Sequence, residues 1–214
     1  MRELARAIDP ATAVVIVVDV QNDFCHPAGA LAAAGAPTAD ALAMLPTLQR
    51  FLDAARAAGT RIVFLQTIHE DATDSDAWRG RGLNQSAPIC RNGTWGIEFI
   101  GVAPRDDEPV VVKHRYSGFL NTRLDSVLRT MRAETLIMTG VSTNVCVETT
   151  ARHGFMLDYH IVMVDDCCAA YGRDEHEGAL YNVRTHIGTI ASSATIVDAW
   201  SSRETPVAAL TERA

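Results

Sequence analysis

Three residues with a joint chemical use stand at the ends of apolar runs. "AVVIVV" at 13–18 leads directly into Asp19, "PVVVK" at 109–113 ends in Lys113, and "TLIMTG" at 135–140 is followed by "VSTNVC", which carries Cys146. A thiolate is a nucleophile, and an adjacent base or cation makes it available near neutral pH. Taken singly, each residue has a plainer reading: Cys146 as a packed core thiol, Asp19 as a turn or cap residue, Lys113 as a solvated strand end. Their shared position argues for chemistry, because a charged residue at the end of a buried strand must find a partner or water. If "STNVCVETT" opens a helix, Cys146 lies in its first turn. Unpaired backbone N–H groups there favour an anion and are suited to hold the oxyanion of an attacked carbonyl.

The elements that must position these groups follow from the hydrophobic pattern. Runs at 13–18, 61–66 ("RIVFLQ"), 109–113, 135–140 and 160–164 ("HIVMV") predict strands buried on both faces, the signature of a parallel sheet. "TADALAMLPTLQRFLDAARAAG" (38–59) predicts a helix with Leu42, Leu45, Leu48, Leu52 and Ala55 on one stripe, a kink at Pro46 and a stop at Gly59. Stretches 121–133, 142–154 and 173–188 predict three more helices, and "ATIVDAW" (194–200) predicts a weaker last strand. This βαβα alternation predicts an α/β fold: a three-layer α/β/α, doubly wound, mainly parallel six-stranded sheet in a single domain over 1–214. Such sheets bind ligands outside the carboxyl ends of their strands. Segment 67–108 is long, polar and without periodicity, so it predicts an active-site loop, with Trp78, Trp95, Phe99 and Ile100 as anchors for an ordered wall or lid.

Composition narrows the function classes. With 48% hydrophobic residues among 214, the chain has enough apolar material for one sizeable core. A net charge of -7 with scattered Lys and Arg argues against a nucleic-acid partner. The first twenty residues predict neither an export signal nor a membrane span, their apolar stretch being far short of the ~20 residues a bilayer needs. Cys25, Cys90, Cys146, Cys167 and Cys168 are an odd count without CxxC or Cys/His finger spacing, which fits a reducing, cytoplasmic setting. Adjacent Cys167 and Cys168 do not readily pair and read as packing, Cys25 as a residue of the pocket mouth, and Cys90 as idle.

The segments "VVIVVDVQNDFCHPAGAL", "VVKHRYSGFLNTRLDSVLR" and "LIMTGVSTNVCVETTARHGFMLDYHIVMVDDCCAAY" together resemble the isochorismatase-like cysteine hydrolase superfamily over nearly the whole chain. The resemblance implies Asp19 as general base, Lys113 as the cation that lowers the thiol pKa, and Cys146 as the nucleophile that forms a thioester. It also implies a cis peptide at Val141–Ser142, with the Ser142 and Cys146 N–H groups as oxyanion donors. Nicotinamidase-like members carry a metal-binding D-x-H after the second strand. Here "QTIHED" has His69 but Thr67 in place of the Asp, so neither metal nor cofactor is expected and His69 reads as a loop residue or pocket wall.

Within the family the chain is most similar to ureidoacrylate amidohydrolases, through "RYSGFLNTRLDS" and "TNVCVETTARHGFMLDY". The implied substrate is a small ureido or carbamoyl compound, with biuret, triuret, N-carbamoyl amino acids and nicotinamide as alternatives. Phe24, Trp95, Tyr116 and Ser117 are candidate pocket residues, Asn84, Gln85 and Arg91 candidates for holding a carboxylate or ureido group, and His186 the position that sets the chain apart from the biuret pattern. Family resemblance also implies a homo-oligomer, a dimer or tetramer. Two rivals stand beside the enzyme: a catalytically silent metabolite-binding module, and a thiol redox sensor that uses Cys167 or Cys168 to resolve an oxidised Cys146.

Overall fold

All six residues of the first strand are buried, which requires cover on both faces, and the side chains divide between those faces by strict alternation. The computed structural model describes residues 2–80 and 88–202. In chain order its elements are α1 (Arg2–Ala7), β1 (Ala13–Val18), α2 (Asn22–Cys25), α3 (Ala30–Ala33), α4 (Ala39–Ala57), β2 (Arg61–Thr67), α5 (Asp76–Arg79) and β3 (Val110–Lys113). There follow α6 (Leu124–Thr130), β4 (Thr135–Val141), α7 (Glu148–Met156), β5 (His160–Ala169), α8 (Arg173–His186), β6 (Thr189–Ala191) and α9 (Ser193–Ser201).

The strands form one sheet in the order β3-β2-β1-β4-β5-β6, and every pairing is parallel. Ala13, Val15 and Val17 pack with Leu48 and Leu52 of α4 and with Ile196 and Trp200 of α9. Val14, Ile16 and Val18 face the other way, onto Leu124 and Leu128 of α6, Ala151 of α7 and Val183 of α8. The result is the three-layer α/β/α arrangement, with the reversal of strand order between β1 and β4. Asp19 and Cys146 follow these two central strands, and Lys113 closes edge strand β3.

Several boundaries differ from expectation for local reasons. Residues 194–200 are helix, not strand: the Ser192 hydroxyl accepts the Thr195 N–H as an N-cap, and Ile196 and Trp200, four apart, share the buried face. The sixth strand is the shorter Thr189–Ala191 just before it. In α4 the buried stripe is Ala41, Met44, Leu45, Leu48, Phe51, Leu52 and Ala55, while Leu42 is exposed, one residue's rotation off that face. Pro46 sits inside α4, which runs unbroken past it. The expected helix at 142–154 is two pieces, a π-helical turn at Thr143–Val147 and then α7.

The end of β4 turns on one glycine. Gly140 has φ +107, and a Cβ built there would meet the Val18 carbonyl oxygen at 2.1 Å. The β4–β5 register also shifts between Met138 and Gly140, so this strand bends just before the residues that lead to Cys146. Gly140→Ala is expected to destabilise the protein by about 3 kcal/mol or more, because both the backbone conformation and the β1–β4 spacing resist a side chain. Gly178→Ala in α8, where a Cβ meets nothing within 4 Å, is expected to stabilise by about 0.5–1 kcal/mol. Denaturant melts of the two variants read both signs.

Candidate active site

Lys113 is wholly buried and Asp19 is 1% exposed, so neither charge has water to rely on. Lys113 Nζ lies 2.7 Å from Asp19 Oδ2 as an ion pair. It also donates to Thr67 Oγ1 (2.8 Å), the Arg115 carbonyl (3.1 Å) and Cys146 Sγ (3.4 Å). Thr67 in turn donates its hydroxyl proton to Asp19 Oδ1 at 2.9 Å. One hydroxyl therefore links the carboxylate and the ammonium. Asp19 takes a left-handed backbone (φ 52) directly after β1, a conformation Asp tolerates better than most residues. Its N–H is held by the Leu65 carbonyl at 3.1 Å.

The residues after Asp19 pin the long segment into a wall. Gln21 accepts the Thr67 N–H (2.8 Å) and donates to the carbonyls of Thr67 (2.9 Å) and Ile97 (3.0 Å). Asn22 donates to the Trp95 carbonyl (3.0 Å), and Asp23 accepts from the Cys90 and Ala30 N–H groups (2.6 and 2.9 Å). Thus "QND" fastens β2 and the 90–97 stretch to the end of β1. A cavity of about 580 Å³ lies over this arrangement, with Lys113 and Cys146 at its floor and Thr67, His69, Trp78 and Ile89 of the long segment on its wall.

Expected pocket residues divide. Phe24, Tyr116 and Ser142 line the cavity. Val141 is the last residue of β4, and its bond to Ser142 is cis. Ser117 is buried behind the wall, bonded to His153 Nδ1 at 2.9 Å and to the Phe119 N–H at 3.1 Å. Trp95 is 46% exposed and packs edge-on against His26, contributing its carbonyl and not its ring to the site's construction. His186 is exposed at the carboxyl end of α8, roughly 16 Å along the helix from Glu175, which does line the cavity. The cavity sits where helices begin, so only the first turn of α8 reaches it. Arg91 is paired with Asp71 and Asp74, and Asn84 and Gln85 lie outside the described residues.

Other wall residues escaped the sequence reading: Arg115, Asn144, Tyr171 and Glu175. Arg115 had a usable signal, since it stands two residues past Lys113, the spacing at which extended chain returns to the same side. Cys167 and Cys168 are buried on opposite faces of β5, in different core clusters, and neither lines the cavity. Cys25 is buried in the core with the β1 side chains, away from the cavity lining, and Cys90 is buried against Leu31 and Ile89. Thr67 offers a neutral hydroxyl already engaged by Lys113 and Asp19, and His69 faces Asp74 at 3.7 Å. Among the described residues no group of three or more His, Cys, Asp or Glu is placed to hold a metal ion. Positions 67 and 69 therefore do not fit the nicotinamidase-type ligand set.

Residues 13–195 match the isochorismatase domain model. The chain belongs to the isochorismatase family. This isochorismatase-family chain is 32% identical over 203 residues to ureidoacrylate amidohydrolase RutB of Caulobacter vibrioides, covering 87% of this chain and 90% of that one. A cysteine hydrolase from Pseudomonas syringae pv. phaseolicola superposes with a TM-score of 0.81 at 31% identity, covering 92% and 95% of the two chains. N-carbamoylsarcosine amidase from Thermoplasma acidophilum gives 0.70 at 28% identity, covering 85% and 96%. The family member described here is thus an isochorismatase-like hydrolase of the amidohydrolase kind.

In this family member burial works against ionising the thiol. Burial pushes Cys146 from 9.0 up to about 12; Lys113 pulls it down, but Asp19 pushes it up again. Burial also acts to lower the Lys113 ammonium, yet Asp19 and then Cys146 outweigh it and leave the group above its usual 10.5. The physical reason for the raised thiol is burial, which takes water away from the charged sulfur, while the cation beside it is shared with Asp19 at 2.7 Å. Lys113 acts on the thiol in the expected direction, downward, and burial acts against it more strongly. A thiol so raised ionises only as pH climbs, so inactivation by iodoacetamide without substrate is expected to accelerate from about pH 7 through about pH 9 with no plateau. A plateau below about pH 8 would reveal a preformed thiolate. Thr67→Val leaves both charges short of one bond and is expected to cost about 1–3 kcal/mol of stability, measured by denaturant melt.

Proposed function

We propose that this chain is a cysteine-dependent amidohydrolase that cleaves a C–N bond of a small ureido or carbamoyl compound, ureidoacrylate-like, through a thioester. The observation that carries the reading is the wholly buried Lys113 touching both Asp19 (2.7 Å) and Cys146 (3.4 Å) at the floor of a cavity. In this reading the thiol proton moves during attack. Cys146 Sγ bonds to the substrate carbonyl carbon as its proton passes to Asp19, and the carbonyl π pair becomes an oxyanion. The N–H groups of Ser142 and Cys146, at the end of β4 and in the turn that follows, are assigned to hold that oxyanion. The C–N bond then breaks, and the leaving nitrogen takes the proton from Asp19. Water attacks the thioester, gives a proton to Asp19, and sulfur departs and recovers it. Net charge over the triad and the bound substrate together is conserved in each proton shift, which suits a buried site.

The ureido class is supported by the names of two relatives, one for ureidoacrylate and one for N-carbamoylsarcosine, both compounds with a terminal carbamoyl group. A cavity of about 580 Å³ with Phe24, Trp78, Tyr116 and Tyr171 on its wall suits a small, flat substrate. Five buried free thiols support a reducing, cytoplasmic setting. Exposed Phe155, Met156 and Leu157 at the end of α7 support self-association.

A screen of ammonia and carbamate release over ureidoacrylate, N-carbamoyl amino acids, biuret, triuret and nicotinamide is expected to show turnover of the first two classes, unchanged by a metal chelator. Activity on nicotinamide that chelator abolishes would overturn the reading. Cys146→Ala is expected to lower kcat/KM by at least about 10³-fold, and mass spectrometry of acid-quenched wild type to find the acyl or carbamoyl group on Cys146.

A further inference from the structure

The charges around the cavity are unequally paired. Lys113 has three N–H donors and faces four acceptors, at 2.7, 2.8, 3.1 and 3.4 Å, so none is left for a substrate. His69 lies beside the Asp74 carboxylate. Arg115 differs. Its guanidinium donates to two neutral carbonyls, those of His114 (2.7 Å) and Thr73 (2.8 Å), and lies 4.6 Å over the Trp78 ring. Among the described residues no carboxylate pairs with it, and the bonds to neutral carbonyls occupy two of its five N–H groups. The guanidinium is thereby held in place from three sides, half-buried, with no carboxylate partner among the described residues.

The opposite sign enters from another part of the fold. Glu175, in the first turn of α8, lines the same cavity and forms no ion pair among the described residues. Arg115 follows β3, at one edge of the sheet, and α8 follows β5, beyond the β1–β4 reversal. Cys146 follows β4, between them. The cavity therefore has a cationic side and an acidic side with the nucleophile in the middle.

We propose that Arg115 recognises a substrate carboxylate, so that the cavity selects ureido acids over neutral ureas and amides. A carboxylate pairs with the free edge of the guanidinium and is repelled by Glu175, which directs the carbamoyl end toward Cys146. This orients the substrate as well as selecting it. Arg115 is a specificity-determining residue here, outside the proton and bond-making steps.

The inference rests on the amidohydrolase reading, and paired probes separate the two. Ureidoacrylate and its neutral carboxamide share the carbamoyl group and differ in charge. Wild type is expected to favour the acid by about tenfold to a hundredfold in kcat/KM. Arg115→Gln removes that preference by raising KM for the acid, with kcat within about threefold, and leaves the carboxamide unaffected; Arg115→Lys restores part of it. Equal losses on both probes would mean that Arg115 only supports the Trp78 wall, and absence of a preference in wild type would overturn the proposal outright. If wild type hydrolyses neither probe, the substrate reading fails and calorimetry with Cys146→Ala decides this one. Acid binding that exceeds carboxamide binding and disappears in Cys146→Ala/Arg115→Gln upholds it. Equal, Arg115-independent or undetectable binding of both probes overturns it.

Discussion

A carboxylate and an ammonium with no access to water, 2.7 Å apart, are the constraint on which the rest of the site depends. Removing either partner leaves an uncompensated buried charge, a loss of about 3–5 kcal/mol. The pair therefore has to be surrounded by groups that fix its geometry. Thr67 bridges it, the Arg115 carbonyl takes a further ammonium proton, and Gln21 locks the end of β2 that carries Thr67. The ends of three strands, β1, β2 and β3, are committed to holding two charges, and a fourth, β4, delivers the sulfur. The sheet order gathers all four at adjacent positions, which a parallel sheet does naturally and an antiparallel one, alternating its ends, does not.

Much of this was legible because the signals were strong and local. Five β-branched runs bounded by polar stops foretold a parallel sheet, and charges directly after two of them foretold a site at its carboxyl edge. The placement of Asp19, Lys113 and Cys146 at strand ends was visible from the pattern, while their roles came only with the family resemblance. What escaped depended on direction and on company. The apolar residues of 194–200 suited either a short strand or a short helix until the Ser192 cap decided it. His186 was placed in the right helix but at its wrong end. Arg115 was passed over although its spacing from Lys113 was readable, because which charges lack a partner among the described residues shows only in the fold.

The ionisation of the thiol is the clearest case of company overruling proximity. A lysine beside a cysteine ordinarily lowers its pKa. Here the lysine is already paired, and burial dominates what remains. Packed this tightly, the three residues bring a sulfur, an ammonium and a carboxylate into contact, with burial working against a free thiolate. Chemistry at the site is set as much by the order in which charges are matched as by which charges are present.

The burial of Cys146 has a further consequence, for durability. Peroxides and disulfides react with thiolates far faster than with thiols, and oxidation past the sulfenic stage is irreversible for most proteins. A sulfur whose ionisation burial opposes is a poor target for oxidants that merely diffuse in. With Cys167 and Cys168 facing away on β5, an oxidised Cys146 would find neither beside it in the cavity to restore it. The tightness that makes the site demanding to build also shields its sulfur from oxidants.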